Sequence, residues 1–168
     1  MGSGKTTLGK AFAREMQLEF IDLDWYIESR YHKTVTQIFA EKGESGFREL
    51  ERRMLHEVGD FENVVIAAGG GTPCFFDNVD YMNGAGQTVF LEVSPEVLFR
   101  RLKAGKAKRP LLAGKSDDEL KSTIAAALAS RMPYYSKAAL RFNGEELESR
   151  SQISASVARL KELLGLDA

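Results

Sequence analysis

The sequence predicts an α/β fold built on a parallel sheet. Apolar positions switch repeatedly between short β-branched runs and helical spacing, the alternation that strand–helix–strand units require. A Gly-Ser-Gly-Lys-Thr-Thr segment, residues 2–7, opens an amphipathic helix that is followed by a strand, the setting of a phosphate-binding loop. The 168 residues hold no Pro/Gly/Ser-rich linker, internal repeat or low-complexity tract, so the chain reads as one domain, 1–168.

The elements follow in order. Leu8, Phe12 and Met16 recur every four residues as one apolar stripe of the first helix. Residues 20–23 read as a short strand ending at Asp24. Thr34 with Gln37 makes a capping box, and Phe47, Leu50, Met54 and Val58 line a longer helix. That is too much for one crossover, so residues 24–60 are expected to form an insertion over the sheet. Residues 64–67 are a β-branched strand closed by Gly69, Gly70 and Gly71, and residues 88–93 are another strand. Ser94 then caps a helix that starts on Pro95, where a missing N–H costs nothing. Residues 105–115 are basic and weakly periodic, and Ser116 with Glu119 opens the next helix. Ile153, Val157, Leu160 and Leu164 give the last helix its apolar face. The core thus comprises residues 1–23 and 61–100 with a C-terminal part at 117–168, and residues 101–116 form a candidate lid.

Composition narrows the function. No apolar run approaches the roughly 20 residues of a membrane span, and the N-terminal residues lack the apolar core of a secretory signal. One cysteine, Cys74, excludes an internal disulfide and fits a reducing cytoplasm. With 23 basic and 24 acidic residues the net charge is -1, so no nucleic-acid partner is expected and any anionic ligand must be held by local charge.

In G-x-x-x-x-G-K-[ST], glycines let backbone N–H groups turn around a phosphate at a helix N-terminus. The lysine reaches the β/γ-phosphates and the hydroxyl ligates Mg²⁺. Gly4, Lys5 and Thr6 match, with Gly2, Ser3 and Thr7 around them; the first glycine would fall two residues before Met1, and no strand precedes the loop. The expectation is a chain lacking a first strand. Asp22 and Asp24, two apart at a strand end, suit two tasks beside a triphosphate: holding Mg²⁺ through water and accepting a substrate hydroxyl's hydrogen bond. The other reading is a pair of solvated strand-end acids, or a helix cap at Asp24. Gly69, Gly70 and Gly71 permit a ligand to approach the backbone or form a plain loop, and the residues leave the two readings even. Arg48, near Glu51, either binds a carboxylate bidentately or forms a surface ion pair. Six of the ten residues 100–109 are basic and none is acidic or aromatic, which suits a lid closing on an anion better than a base-stacking surface. Arg131 stands just before Met132-Pro133, where a helix must bend or end. His32, His56 and Cys74 lack the spacing or partners of a metal or nucleophilic site.

In this order GSGKTT, FIDLDWYIE, GFRELE, GGGTP, RRL with KRPLL, and SRMPYY resemble the shikimate kinase family over nearly the whole chain. The resemblance implies a three-layer α/β/α P-loop NTPase fold whose parallel sheet has five strands, the first absent here, with a helical substrate-binding insertion and a mobile lid. It implies a cytoplasmic, monomeric enzyme that moves the γ-phosphate of ATP to the 3-hydroxyl of shikimate, on the route to chorismate and the aromatic amino acids. Lys5 would sit on the β/γ-phosphates, Thr6 would ligate Mg²⁺, and Asp22 would reach the ion through water. Asp24 would hydrogen-bond the reacting hydroxyl. Arg48 and Arg131 would clamp the shikimate carboxylate with the backbone of Gly70 and Gly71, beside Gly69. Arg109 would enter with the lid to neutralise the transferring phosphoryl group, and Arg101 would stack on adenine. Residues 143–149, the adenine loop by position, carry no distinctive motif. The rival expectations are a gluconate or nucleoside-monophosphate kinase, which share the loop and lid, and a non-catalytic nucleotide-binding module.

Overall fold

The structure is a computed structural model, and it describes residues 2–105 and 114–166. Helix α1 (Lys5–Glu15) leads through a tight turn into strand β1 (Glu19–Asp22), which runs directly into α2 (Leu23–Tyr31). Helix α3 (Val35–Gly59) starts at the Thr34–Gln37 capping box and bends at Gly43, whose φ of 68° is open to glycine. Strand β2 (Val64–Ala67), a 3₁₀ turn (Thr72–Cys74), α4 (Asn78–Ala85), β3 (Val89–Glu92) and α5 (Pro95–Ala104) follow. Helix α6 (Asp117–Tyr135), strand β4 (Leu140–Asn143) and α7 (Arg150–Leu163) complete the described chain.

Three expectations shift in detail. The first strand ends at Asp22 rather than Asp24, because the Asp22 side chain caps α2 and turns the chain out of the sheet. Asp24 therefore lies in the first turn of a helix, and the two carboxylates do not project from one strand end. Helix α6 passes through Pro133 and ends two residues later, at Tyr135. Arg101 belongs to the last turn of α5, with Leu102 buried beside it. Lid residues 106–113, including Arg109, lie outside the described residues.

All pairing is parallel, in two separate ladders. β1 pairs with β2, Glu19 opposite Val64, and β3 pairs with β4, Val89 opposite Leu140. Helices cover both faces, giving three layers. Val64 and Ile66 pack on the α2–α3 side with Ile27, Phe47 and Met54, while Val65 joins Leu8, Phe12, Val157 and Leu160 of α1 and α7. A third cluster ties α5 to α6 through Leu98, Leu102, Leu120 and Ile124.

Between the ladders lies a cavity of about 1400 Å³, lined by every residue of β2 and of β3. The free edges of these two strands face it, and Val64, Val65, Ile66, Val89, Phe90 and Leu91 are only half-buried. Aliphatic strands of a parallel sheet are ordinarily covered on both faces and paired on both edges. Four strands are present among the described residues, and the gap lies between β2 and β3. No helix among the described residues is long and apolar enough to cross a membrane.

An apolar strand of about five residues filling this gap would add ladder bonds at ~1 kcal/mol net each and bury two or three side chains at ~1.5–3 kcal/mol each. A chain extended ahead of Gly2 by such a strand should therefore unfold roughly 10 °C or more above the chain as given, in one cooperative transition. Equal midpoints in thermal circular dichroism would mean that the gap closes some other way.

Candidate active site

The phosphate loop is built by backbone conformation. Gly2 and Gly4 have φ of 74° and 94°, left-handed values that suit glycine, and the Gly4 carbonyl accepts the first helical bond of α1, from Leu8 at 2.9 Å. Among the described residues no side chain caps α1, so its N-terminal N–H groups and positive dipole end suit an anion. Lys5 and Thr6 open the helix. The Thr6 hydroxyl donates to Asp22 Oδ2 at 3.1 Å, while Asp22 Oδ1 accepts from the N–H groups of Asp24 (3.1 Å) and Trp25 (3.5 Å). A hydroxyl and a carboxylate in contact beside a phosphate cradle fit the donor set of Mg²⁺. Among the described residues no group of three or more His, Cys, Asp or Glu is placed to hold a metal ion, so such an ion would complete its shell with phosphate oxygens and water. A cavity of about 460 Å³ brings together Gly2, Gly4, Lys5, Thr6 and Thr7 with Asp22, Asp24 and Arg101.

Asp24 titrates above an ordinary aspartate. Burial is the main cause, the neighbouring Asp22 and Glu51 carboxylates add to it, and Lys5 opposes it. The residues 69–71 lie across this acid. A Cβ on Gly69 would sit 2.8 Å from Thr72 Oγ1, 3.2 Å from Glu51 Oε1 and 3.4 Å from Asp24 Oδ1; one on Gly71 would sit 2.7 Å from Arg48 Nη2. A side chain at 69 or 71 would thus crowd Thr72 and Glu51 or displace the Arg48 guanidinium.

Arg48 is held from several sides. Its Nη1 pairs with Glu51 Oε2 at 2.8 Å, Nη2 with Glu44 at 3.6 Å, and the guanidinium lies 4.1 Å from the Phe75 ring centroid. The pair is not a surface one: Glu51 is 1% exposed and Arg48 13%. Glu51 Oε1 also accepts from Thr72 Oγ1 at 2.6 Å. Arg48 Nε is buried and makes no hydrogen bond.

Arg131 comes from the far end of the chain. Tyr135, one turn on in α6, donates its hydroxyl to the Gly70 carbonyl at 2.6 Å; burial raises its pKa, and the Arg131 cation works against that rise. Burial raises the pKa of the half-buried Cys74 thiol, and the two cations that oppose this are Arg131 and Arg48. Both arginines thus act electrostatically on the 3₁₀ turn after the glycines. Gly69 and Gly70 line both cavities, so the phosphate pocket and the arginine side meet there.

Arg101 reaches the phosphate loop from α5. Nη2 donates to the Glu145 carbonyl at 2.7 Å and Nη1 to the carbonyls of Gly2 and Ser3, both at 3.4 Å. On the outer side Lys10 lies 4.4 Å from the ring centroid of the exposed Trp25.

Sequence spacing puts Glu51 beside Arg48 and Tyr135 in the SRMPYY segment without assigning either a role. Glu51 falls four residues after Phe47 and three before Met54, on the apolar face of α3, and an acid at a core position of a helix is the signal that marks it.

The family model described as "Shikimate kinase" matches residues 1–161. The chain belongs to the shikimate kinase family. It is 65% identical to the shikimate kinase of Phocaeicola vulgatus over 98% of this chain and 94% of that one. A crystal structure of shikimate kinase from Bacteroides thetaiotaomicron superposes with a TM-score of 0.97 at 63% identity, covering 99% of this chain and 94% of that one. Shikimate kinase from Acinetobacter baumannii, solved in complex with shikimate, gives a TM-score of 0.83 at 28% identity, over 99% and 90% of the two chains. The P-loop kinase fold of the family accounts for the three layers and the parallel pairing.

Two consequences of the geometry are measurable. Glu51→Ala leaves the Arg48 cation buried without its main partner, an arrangement that costs about 3–5 kcal/mol; urea unfolding should show a loss of that order. Asp24 carries a raised pKa, so its native state holds a proton more tightly than the unfolded chain does. Its charge then opposes folding at neutral pH, and the penalty disappears as pH falls through the raised pKa toward the unfolded value. Asp24→Asn should accordingly melt above the parent at pH 7, with the gain vanishing in acid. A variant less stable at pH 7 would contradict this electrostatic reading.

Proposed function

We propose that this protein transfers the γ-phosphoryl group of ATP to the 3-hydroxyl of shikimate, giving shikimate 3-phosphate, as a cytoplasmic monomer. The observation that carries the reading is the placement of Asp24. It stands between the Thr6–Asp22 pair of the phosphate loop and the glycine turn that packs on Arg48. An acceptor for the reacting hydroxyl thus lies where a triphosphate end and a carboxylate-binding cation meet.

Phosphoryl transfer needs little covalent help, so positioning and charge neutralisation supply most of the rate. Lys5 holds the β/γ-phosphates. Thr6, and Asp22 through water, hold Mg²⁺, which when bound neutralises charge on the phosphate oxygens. Asp24 accepts the hydrogen bond of the 3-hydroxyl, and its raised pKa brings it nearer to that of a useful proton acceptor. Arg48 and Arg131 grip the carboxylate, with the backbone of Gly70 and Gly71 completing the turn beside Gly69. Two guanidinium forks select a carboxylated polyol over a nucleoside monophosphate when both meet one planar carboxylate. Arg109, beyond the described residues, is assigned to the phosphoryl group in flight, and Arg101 to the adenine end.

Steady-state kinetics on shikimate, gluconate and nucleoside monophosphates tests the assignment, and preference for either of the latter would overturn it. Lys5→Ala should cost about 10²–10³ in kcat, the usual scale for losing one transition-state donor. Arg48→Ala and Arg131→Ala should raise the shikimate Kd by about tenfold or more, one charge-assisted bond each, and leave ATP binding nearly intact. Arg109→Ala should lower kcat more than it changes either affinity. Loss of ATP affinity in all three arginine variants alike would place these residues elsewhere.

A further inference from the structure

Among the described residues no side chain caps α1 at the phosphate loop, and Arg101 contacts the loop from behind. That guanidinium contacts the carbonyls of Gly2 and Ser3 and, more closely, the carbonyl of Glu145. It bridges the loop to the segment that follows β4. The same segment grips the loop twice more. A Cβ on Gly4 would lie 2.5 Å from Leu147 Cδ1, and one on Gly144 would lie 3.2 Å from the Ser3 carbonyl. The segment is anchored in turn: the Gly144 N–H donates to the Glu92 carbonyl at 2.9 Å, and Glu145 Oε1 accepts from the Ser94 N–H at 3.0 Å. Glu148 balances the charge, 2.5 Å from Arg100 and 3.8 Å from Arg101.

A peptide unit is planar and trans, so its C=O and N–H point in opposite directions. Drawing the Gly2 and Ser3 carbonyls toward Arg101 therefore turns the N–H groups of Ser3 and Gly4 away from it. Gly2 and Gly4 both sit at left-handed φ, where glycine has the greatest freedom to lose. A loop of this kind cradles anions only while successive N–H groups stay aligned. We infer that Arg101 is a positioning residue that aligns the phosphate loop from behind, by holding the Gly2 and Ser3 carbonyls against the Glu145 backbone. This rests on the kinase reading above and adds a task distinct from any contact with the base. Arg101 also lines the phosphate pocket, so the two tasks need an experiment that separates them.

Inorganic tripolyphosphate has the phosphates of ATP without adenine or ribose, and it makes the separation. Dissociation constants for ATP, tripolyphosphate and shikimate are measured by calorimetry for the parent, Arg101→Ala and Arg101→Lys, each with a thermal melt. Alignment of the loop predicts that Arg101→Ala weakens ATP and tripolyphosphate by the same factor, about tenfold, the scale of one charge-assisted hydrogen bond. Shikimate binding should stay within twofold. Arg101→Lys keeps the charge but loses the planar fork, so it should fall between the two. Weakening of ATP alone would assign Arg101 to the base and overturn the inference. So would unchanged tripolyphosphate binding, or a parallel loss of shikimate affinity. If the alanine variant does not fold, the lysine variant decides by the same ratios. A parent protein that binds neither ATP nor tripolyphosphate would instead remove the kinase reading itself.

Discussion

One carboxylate couples the parts of this site. Asp22 ends a strand, caps the next helix with one oxygen and accepts the Thr6 hydroxyl with the other. The N-termini of α1 and α2 thus both turn toward a single negative charge. Two positive dipole ends would otherwise repel across the pocket, and the acid between them offsets that repulsion. Because it is fixed at both oxygens, Asp22 also fixes the position of Asp24, whose N–H it holds. Thr6 and Asp24 are therefore tied together through Asp22.

The Arg48 side of the site rests on a second buried acid. Glu51 is satisfied by Arg48 on one oxygen and Thr72 on the other, within a helix face that is otherwise aliphatic and aromatic. Burying an ion pair costs desolvation that the Coulomb attraction only partly returns. Here that cost leaves an arginine pinned beside the glycine turn, with little side-chain freedom left to lose when an anion arrives. Glycines at 69 and 71 follow from the same crowding, since a Cβ there would collide with Glu51, Thr72 or Arg48. Acid, arginine and glycines form one interlocked unit.

Much of this was legible in the sequence because the signals are local. Thr34, Ser94 and Ser116 cap the helices that their spacing announced, and residues 64–67 form the strand that their β-branched run implied. Where the reading slipped, a tertiary contact overrode a local pattern. Leu23 extends an apolar run, yet the Asp22 cap makes it helical, and Pro133 is carried inside α6 within a turn of the helix end. The Ser149–Gln152 capping box that opens α7 passed unnoticed in a polar stretch. Spacing left Arg48 beside Glu51 open between a carboxylate binder and a surface pair, because it gives proximity without burial. The task of Arg101 was invisible for another reason: its partners are backbone carbonyls nearly a hundred residues away, and backbone leaves no mark in composition.

Trp25 gives the Asp22 junction an optical signature. It is the single tryptophan of the chain, stands one residue after Asp24, and its own N–H is drawn to Asp22. The ring is half exposed and lies under the Lys10 ammonium, which projects from α1. Any change in the distance between the first two helices alters the charge over that indole and the water around it. The molecule thus carries its own fluorophore at the junction of α1 and α2, and the emission of one residue reads out the geometry of both.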